Sequence, residues 1–378
     1  MTDATYYLGF SAFPGIGPKR LLSLLYTFGS PQAAWEASQN DVEEVLGKIL
    51  SAKFEKFRNE FSLSGYASAL KQKDIQYVTW ERDEYPILLK TLIPKENSGS
   101  NYLPPFVLYV KGDIAVLQAE KTIGVVGTRK VTDYGREVTE HLTKGLVERG
   151  FLIVSGLALG VDGISHSTAI ENNGKTIAVL GSSVDFCTPA EHQKLYEQIL
   201  SGNGCIVSQF ALGENVGRGN FPARNTIIAG ISQGILVTEG AEDSGSLLTA
   251  QDAQKLGRPV FSVPGPITSY LSKGTNNLIK QGVTPILEVS DIIKALNYSS
   301  SDGKSPETNS FGPAQTVKGD TKEEQEVIDI LKNESLQFDE IVRRIGKDSK
   351  TVGSLLSLLE LKGIIKTLSN GNYSLKVK

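Results

Sequence analysis

Cysteine and histidine are scarce in this chain: its 378 residues include two cysteines, Cys187 and Cys205, and three histidines, His141, His166 and His192. Neither type recurs at metal-ligand spacing, and two thiols make no disulfide framework. A structural metal site and a disulfide-stapled scaffold are therefore excluded, and a reduced, intracellular protein is expected. A positive charge excess is missing as well. Lys and Arg total 39 against 42 for Asp and Glu, a net charge of −3, which excludes a globally basic nucleic-acid binder but not a local basic patch. No apolar run approaches the ~20 residues needed to span a bilayer, and the opening MTDATYYLGF lacks a basic stretch followed by an apolar one. The expectation is a soluble, cytoplasmic protein with no membrane partner. What is plentiful is apolar content, at 40%, enough over this length for two or three cored domains.

A dinucleotide fingerprint is absent from the place where it would be sought. Residues 122–129, TIGVVGTR, are an apolar run ending in glycine and a polar turn, with an amphipathic stretch following. That pattern predicts a strand feeding a helix, whose first N–H groups face whatever lies above the sheet and attract anions. Arg129 and Lys130 in the turn reinforce the attraction. The glycines fall at Gly124, Gly127 and Gly135 rather than in G-x-G-x-x-G, so the pattern predicts a Rossmann-like phosphate cradle and not a nicotinamide site.

Residues 6–65 read as helical, interrupted by FPGIGPKR. Gly15-Ile16-Gly17-Pro18 ends one helix and opens another, as in helix-hairpin-helix modules that grip a phosphate with backbone N–H groups; a tight turn inside a helical bundle fits the same residues. Residues 73–118 turn to short strands and prolines, with a polar loop at 95–102, and read as an extension of the next domain. Trp80, Tyr85 and Tyr109 are read there as core or seam residues.

Strands then alternate with helices: strands at 122–126, 151–155, 176–180, 205–209, 235–238 and 260–263, helices at 134–149, 161–172, 189–200, 223–231 and 247–256. Near-continuous apolar strands between helices predict a parallel sheet covered on both faces, with its ligand at the carboxyl ends of the strands. Those ends carry Gly127-Thr128-Arg129, Ser155-Gly156, Gly181-Ser182, Gly240 and Pro264-Gly265. Two loops aim at the same rim. RGNFPARN (218–225) brings Arg218, Phe221, Arg224 and Asn225 to a helix start, arginine suiting phosphate and a ring suiting a stacked base. DSGSLLT (243–249) places Gly245 and Ser246 in a second anion nest. Arg224 paired with Glu239 or Asp243, and Phe221 as a lid over the core, are the structural alternatives. No catalytic set emerges: Asp162 and His166 sit at i, i+4 on one helix and G-x-S-x-G is missing. Asp162 is read as bracing the helix start, with His166 satisfied beside it.

Residues 298–320 are rich in Ser, Gly and Pro and read as a flexible linker. Beyond it, Phe338, Ile341, Val342 and Ile345 mark one helical face and Val352, Leu355, Leu356 and Leu359 another, and Asn370-Gly371 marks a hairpin. Three helices and a hairpin make a winged helix; Ser349, Lys350, Ser354 and Ser357 form its weakly basic face, open to a DNA-reading or a protein-docking role. The division expected is an N-terminal helical domain (1–72), a Rossmann-like domain with its extension (73–297), the linker (298–320) and the winged helix (321–378).

The runs IGVVGTRKVTDYG, SGLALGVDGISHSTAI, GKTIAVLG, FPARNTIIAG, SGSLLTAQDA and GRPVFSVPGP occur in that order and closely resemble the DNA-processing protein A (DprA, also called Smf) family. The resemblance spans about 103–296 and extends to the flanking helical (SAM or helix-hairpin-helix-like) and winged-helix domains. It implies a single-stranded DNA-binding protein that protects incoming strands, dimerises through its Rossmann-like domain and loads the recombinase RecA during natural transformation and homologous recombination, with no enzymatic reaction and no cofactor. Carried over by motif, the family's binding residues fall on Gly127, Thr128 and Arg129, on Arg218, Phe221, Arg224 and Asn225, and on Lys175 at the opening of the third alternating strand. The chain departs from the family at Thr188, Gln209 and Thr226, where Tyr, Glu and Arg are usual. A nucleoside-monophosphate phosphoribohydrolase on a related fold is the rival reading; its P-G-G-x-G-T-x-x-E signature is replaced here by EGAEDSGSLLTA.

Overall fold

Serine caps and glycine stops cut the N-terminal region into short helices. These are α1 (Asp3–Ala12), α2 (Pro18–Phe28), α3 (Pro31–Glu36), α4 (Gln39–Leu46), α5 (Lys48–Glu60) and α6 (Leu63–Gln72). Ser30, Ser38 and Ser62 accept the N–H groups of Ala33, Asp41 and Gly65 at the starts of α3, α4 and α6, satisfying donors that a helix start leaves unpaired. Gly29 closes α2 in the left-handed conformation. The bundle is filled by aromatics, Phe10 packing on Trp35 at 5.2 Å and on Phe54 at 5.5 Å. The structure, a computed structural model, describes residues 3–93, 102–215, 217, 219–298, 319–332, 334–368 and 371–375.

The chain continues through β1 (Ile75–Thr79), α7 (Ile87–Lys90) and β2 (Val107–Gly112) into the alternating region. There β3 (Thr122–Val126), α8 (Asp133–Val147), β4 (Leu152–Ser155), α9 (Val161–Glu171), β5 (Thr176–Val179), α10 (Gln193–Gln198) and β6 (Gly204–Ser208) come first. After them come α11 (Asn220–Ile231), β7 (Ile235–Val237), α12 (Gly245–Lys255), β8 (Val260–Ser262), α13 (Lys273–Lys280), β9 (Thr284–Pro285) and α14 (Val289–Ala295). Among the described residues the strands form one sheet in the order β1-β2-β6-β5-β4-β3-β7-β8-β9. The run from β6 to β9 is parallel, and β1 and β2 add antiparallel at one side. Every residue of β3 to β8 is buried, as a doubly covered sheet requires.

The expected strands lie within one residue of the observed ones. Two helices differ. α11 begins at Asn220, not at 223, because Pro222 suits a first helical turn whose N–H groups are unbonded anyway. Within 189–200, a 3-10 turn at Ala190–His192 precedes α10. Contacts divide the chain into Met1–Ser299 and Ser300–Lys378. In the first unit, Phe10, Trp35 and Phe54 belong to the same apolar cluster as Tyr109, Val179 and Val207, so the core runs past residue 72 without a break.

The second unit holds α15 (Lys322–Leu331), α16 (Phe338–Ile345), α17 (Ser349–Leu361) and the antiparallel pair β10 (Ile365–Thr367) and β11 (Tyr373–Leu375). Its own core joins Val327, Ile328, Ile341, Val352, Leu356, Leu359 and Ile365. Ser349, Lys350, Ser354 and Ser357 are exposed on α17. Most of the expected linker, 299–318, lies outside the described residues, as does Asn370 of the expected hairpin turn. Among the described residues no helix is long and apolar enough to cross a membrane.

Candidate nucleic-acid interface

Strand order fixes where the rim opens. From β3 the chain winds through β4, β5 and β6 on one side and returns through β7, β8 and β9 on the other, so the topological switch lies between β3 and β7, where open parallel sheets bind ligands. The turn Gly127-Thr128-Arg129 leaves β3 at that point and is locked from several sides. Thr128 N–H donates to the Glu239 carbonyl at 2.8 Å, and Val161 N–H to the Thr128 carbonyl at 3.1 Å. The Glu239 carboxylate accepts from Thr132 N–H at 2.8 Å and from its hydroxyl at 2.6 Å. The Thr128 hydroxyl accepts from Lys130 N–H at 3.1 Å. Gly160, at φ +78°, passes so close that a Cβ would lie 2.2 Å from the Thr128 oxygen, which only glycine permits. The backbone is thus held while the side chains of Arg129 and Lys130 stay exposed.

Phe221 and Arg224 are one turn apart on α11. The Phe221 ring is half-buried, with the Arg129 guanidinium 5.5 Å and the Arg224 guanidinium 6.0 Å from its centroid, cation–π distances. Gly181, after β5, faces the ring; a Cβ there would touch it at 3.4 Å. Arg224 is buried. Its Nη1 donates to the carbonyls of Gly156 and, at 2.8 Å, of Val179, and its Nε donates to Asn225 Oδ1 at 3.1 Å. Asn225 Nδ2 donates at 3.4 Å to the carbonyl of Gly245, joining α11 to the start of α12. Asp162 completes this floor, its Oδ2 accepting from Gly156 N–H at 3.1 Å and Ala158 N–H at 3.3 Å. Burial pushes the Asp162 carboxyl up, while the Arg224 charge and the two N–H groups pull it back. Burial also pulls Arg224 down, opposed by Asp162.

The expected site residues therefore divide. Arg129, Phe221 and Gly127 reach the rim with at least partial exposure, and Gly245 is exposed at the α12 start, where the Ser244 hydroxyl accepts from Ser246 N–H at 3.4 Å. Thr128, Gly156, Arg224, Asn225 and Ser246 are buried beneath it. The Ser155 hydroxyl is not presented to a ligand; it donates inward to the Val125 carbonyl at 2.6 Å. Lys175 is not on this rim: it precedes β5, at the amino end of the sheet, and pairs with Asp113 at 2.6 Å. Arg218 lies outside the described residues. Arg224 bonds main-chain carbonyls instead of Glu239 or Asp243. His166 is only half satisfied: Nδ1 meets the Thr176 hydroxyl at 2.6 Å, but Nε2 has no partner among the described residues. Burial, with the His192 and Arg224 charges, takes its pKa down to about 3.

Sequence reasoning missed the neighbouring groove between α8, α9 and α10, about 540 Å³, lined by Arg136, Gly160, Gly163, His192 and Lys194 among others. Its signal was faint. Arg136 stands seven residues beyond Arg129 on the far side of a turn, and Gly163 matters only because His192 lies flush against it, 2.4 Å from where a Cβ would sit.

Comparison with known proteins follows the same division of the chain. Residues 76–297 match the family described as DNA recombination-mediator protein A, and residues 312–371 match the DprA winged helix domain. Protein Smf of Synechocystis sp. is 37% identical over 300 residues, 78% of this chain and 73% of that one. Protein Smf of Escherichia coli is 32% identical over 367 residues, covering 94% and 95% of the two chains. The DNA processing protein A structure from Streptococcus pneumoniae superposes with a TM-score of 0.66 at 29% identity, over 79% of this chain and 99% of that one. A Helicobacter pylori homologue, solved for its single-stranded DNA binding mode, gives 0.51 at 30% identity, over 59% and 97%.

Proposed function

The chain belongs to the DNA recombination-mediator protein A family, and on that basis we propose that it binds single-stranded DNA along the rim at the β3–β7 switch, as a recombination mediator and not as an enzyme. The half-buried Phe221 ring, with the guanidiniums of Arg129 and Arg224 at 5.5 and 6.0 Å from its centroid, carries the reading. A ring at the mouth of a cationic rim can stack a base of any sequence while Arg129, Lys130 and helix-start N–H groups meet phosphates. The single-strand binding described for the Helicobacter pylori homologue supports it. The carboxylates beneath the rim, Asp162 and Glu239, are buried and both engaged by backbone or hydroxyl donors, which weighs against a phosphoribohydrolase using either as a free base. Within the proposal the protein works as a cytoplasmic homodimer and delivers RecA to incoming strands during transformation.

Titration of labelled oligonucleotides tests the binding step: single strands of any sequence bind, duplex binds more weakly because paired bases cannot reach the ring, and equal affinity for the two overturns the reading. The RecA step is tested by filament assembly on strands coated with single-strand-binding protein, which this protein should accelerate, and the dimer by sedimentation at micromolar concentration.

A further inference from the structure

The loop that leads into α11 and Phe221 is fastened to the N-terminal helices. Between β6 and α11, Leu212 N–H donates at 2.8 Å to the hydroxyl of Tyr66 on α6. That hydroxyl donates at 3.2 Å to Tyr109 of β2, whose own hydroxyl shares a short hydrogen bond with Ser11 of α1. Burial is the leading cause raising the pKa of both phenols, so the chain of hydroxyls stays protonated. A second fastening runs parallel to the first: Lys73, at the end of α6, pairs with Asp185 at 2.6 Å in the loop after β5, where Asp185 also accepts from the Ser183 hydroxyl at 2.6 Å. The two loops are joined, since Ser183 N–H donates to the Glu214 carbonyl at 2.9 Å and the Asn220 amide reaches the Glu214 carboxylate at 3.5 Å. Asn220 opens α11 and is followed directly by Phe221.

A glycine-containing surface loop loses roughly 1–2 kcal/mol of conformational freedom for each residue that binding must order. Fastening the loop beforehand removes part of that cost. We propose that Tyr66 is a positioning residue for single-strand binding: its hydroxyl makes the N-terminal helices a clamp that holds the loop after β6, so that the Phe221 ring already stands at the rim when a base arrives. The proposal rests on the reading that Phe221 stacks a base.

Tyr66→Phe keeps the ring and removes only the hydroxyl. The test is a double-mutant cycle in the full-length protein, with Tyr66→Phe, Phe221→Ala and the pair, titrating a labelled oligothymidylate and following base stacking with 2-aminopurine. Loss of the hydroxyl's bond to the loop at Leu212 N–H predicts that Tyr66→Phe binds roughly two- to ten-fold more weakly, with an unchanged salt slope and reduced 2-aminopurine quenching. In the Phe221→Ala background the same substitution should do nothing further, because it acts through that ring. Parent-like binding by Tyr66→Phe while Phe221→Ala is weakened overturns the clamp and leaves the single-strand reading standing. An equal loss in both backgrounds also overturns it, assigning Tyr66 to general stability. If Phe221→Ala itself binds like the parent, the single-strand reading falls and the clamp with it.

Discussion

Arg129 and Arg224 hold their guanidiniums 5.5 and 6.0 Å from the centroid of one ring, that of Phe221, but Arg129 is exposed while Arg224 is buried with Nη1 on the carbonyls of Gly156 and Val179. Two residues of one type beside one ring therefore do different work. Arg129→Ala should remove one phosphate contact and flatten the log–log salt dependence of single-strand affinity by about 0.7. Phe221→Ala should weaken binding by roughly 1–3 kcal/mol at constant slope. Arg224→Ala should instead show in the melting curve, since each buried partner left unpaired costs roughly 1–3 kcal/mol. Denaturation curves beside salt titrations separate the cases, and a slope change on Arg224→Ala would return that residue to phosphate binding.

Glycine substitutions probe the same floor. A Cβ at Gly156 would lie 2.1 Å from Arg224 Nη1, whereas one at Gly245 would meet nothing within 4 Å. Gly156→Ala should cost roughly 1–3 kcal/mol by overpacking and lower DNA affinity as Phe221 loses its support. Gly245→Ala should melt within about 0.5 kcal/mol of the parent. Equal melting temperatures for the two would mean that Arg224 is free to move aside.

How far the fold was legible depended on whether a local pattern and its neighbours agreed. β3 to β8 could be read because a strand buried on both faces is a plain apolar run. β9 could not, being two exposed residues, Thr284 and Pro285, that pair only because β8 is already there. The rim was legible as a place but not in its roles. An arginine among glycines reads as a phosphate ligand, and nothing in the sequence says that the carbonyls of residues 156 and 179 converge on it. Lys175 shows the reverse: the family motif picks it out, but it stands at the amino end of β5, away from the rim, paired with Asp113.

Acid should destabilise the first unit through His166. Its folded pKa is pulled from 6.5 down to about 3, so between those values the unfolded chain takes up a proton that the native protein refuses. Stability is intact above pH 6.5 and falls as pH drops, by about 1.4 kcal/mol per unit once below it. Urea denaturation between pH 7 and 5 should show wild type losing stability more steeply than His166→Asn, by about that amount per unit; parallel curves would place a proton on the native imidazole.

Where the chain is cut matters more than how much is removed. Tyr298 packs edge-on against Phe151 at 5.4 Å, lies under Lys121 at 4.9 Å and bonds Gln233 at 2.8 Å. Truncation after Ser299 should leave melting and single-strand affinity near parental values, while truncation after Leu296 should lower stability by roughly 1–3 kcal/mol. If the longer truncate loses most of its affinity, the winged helix reads DNA.

The edge strand β9 limits how copies of this protein can assemble. Pro285 offers no N–H to a newcomer, and β9 gives it only one other residue to pair with. A proline on so short an edge blocks ribbon-like growth from that side. Two copies cannot merge their sheets there into one continuous ladder; at this end of the sheet they must meet through side chains on helices and loops, an association that point substitutions can titrate and dilution can reverse.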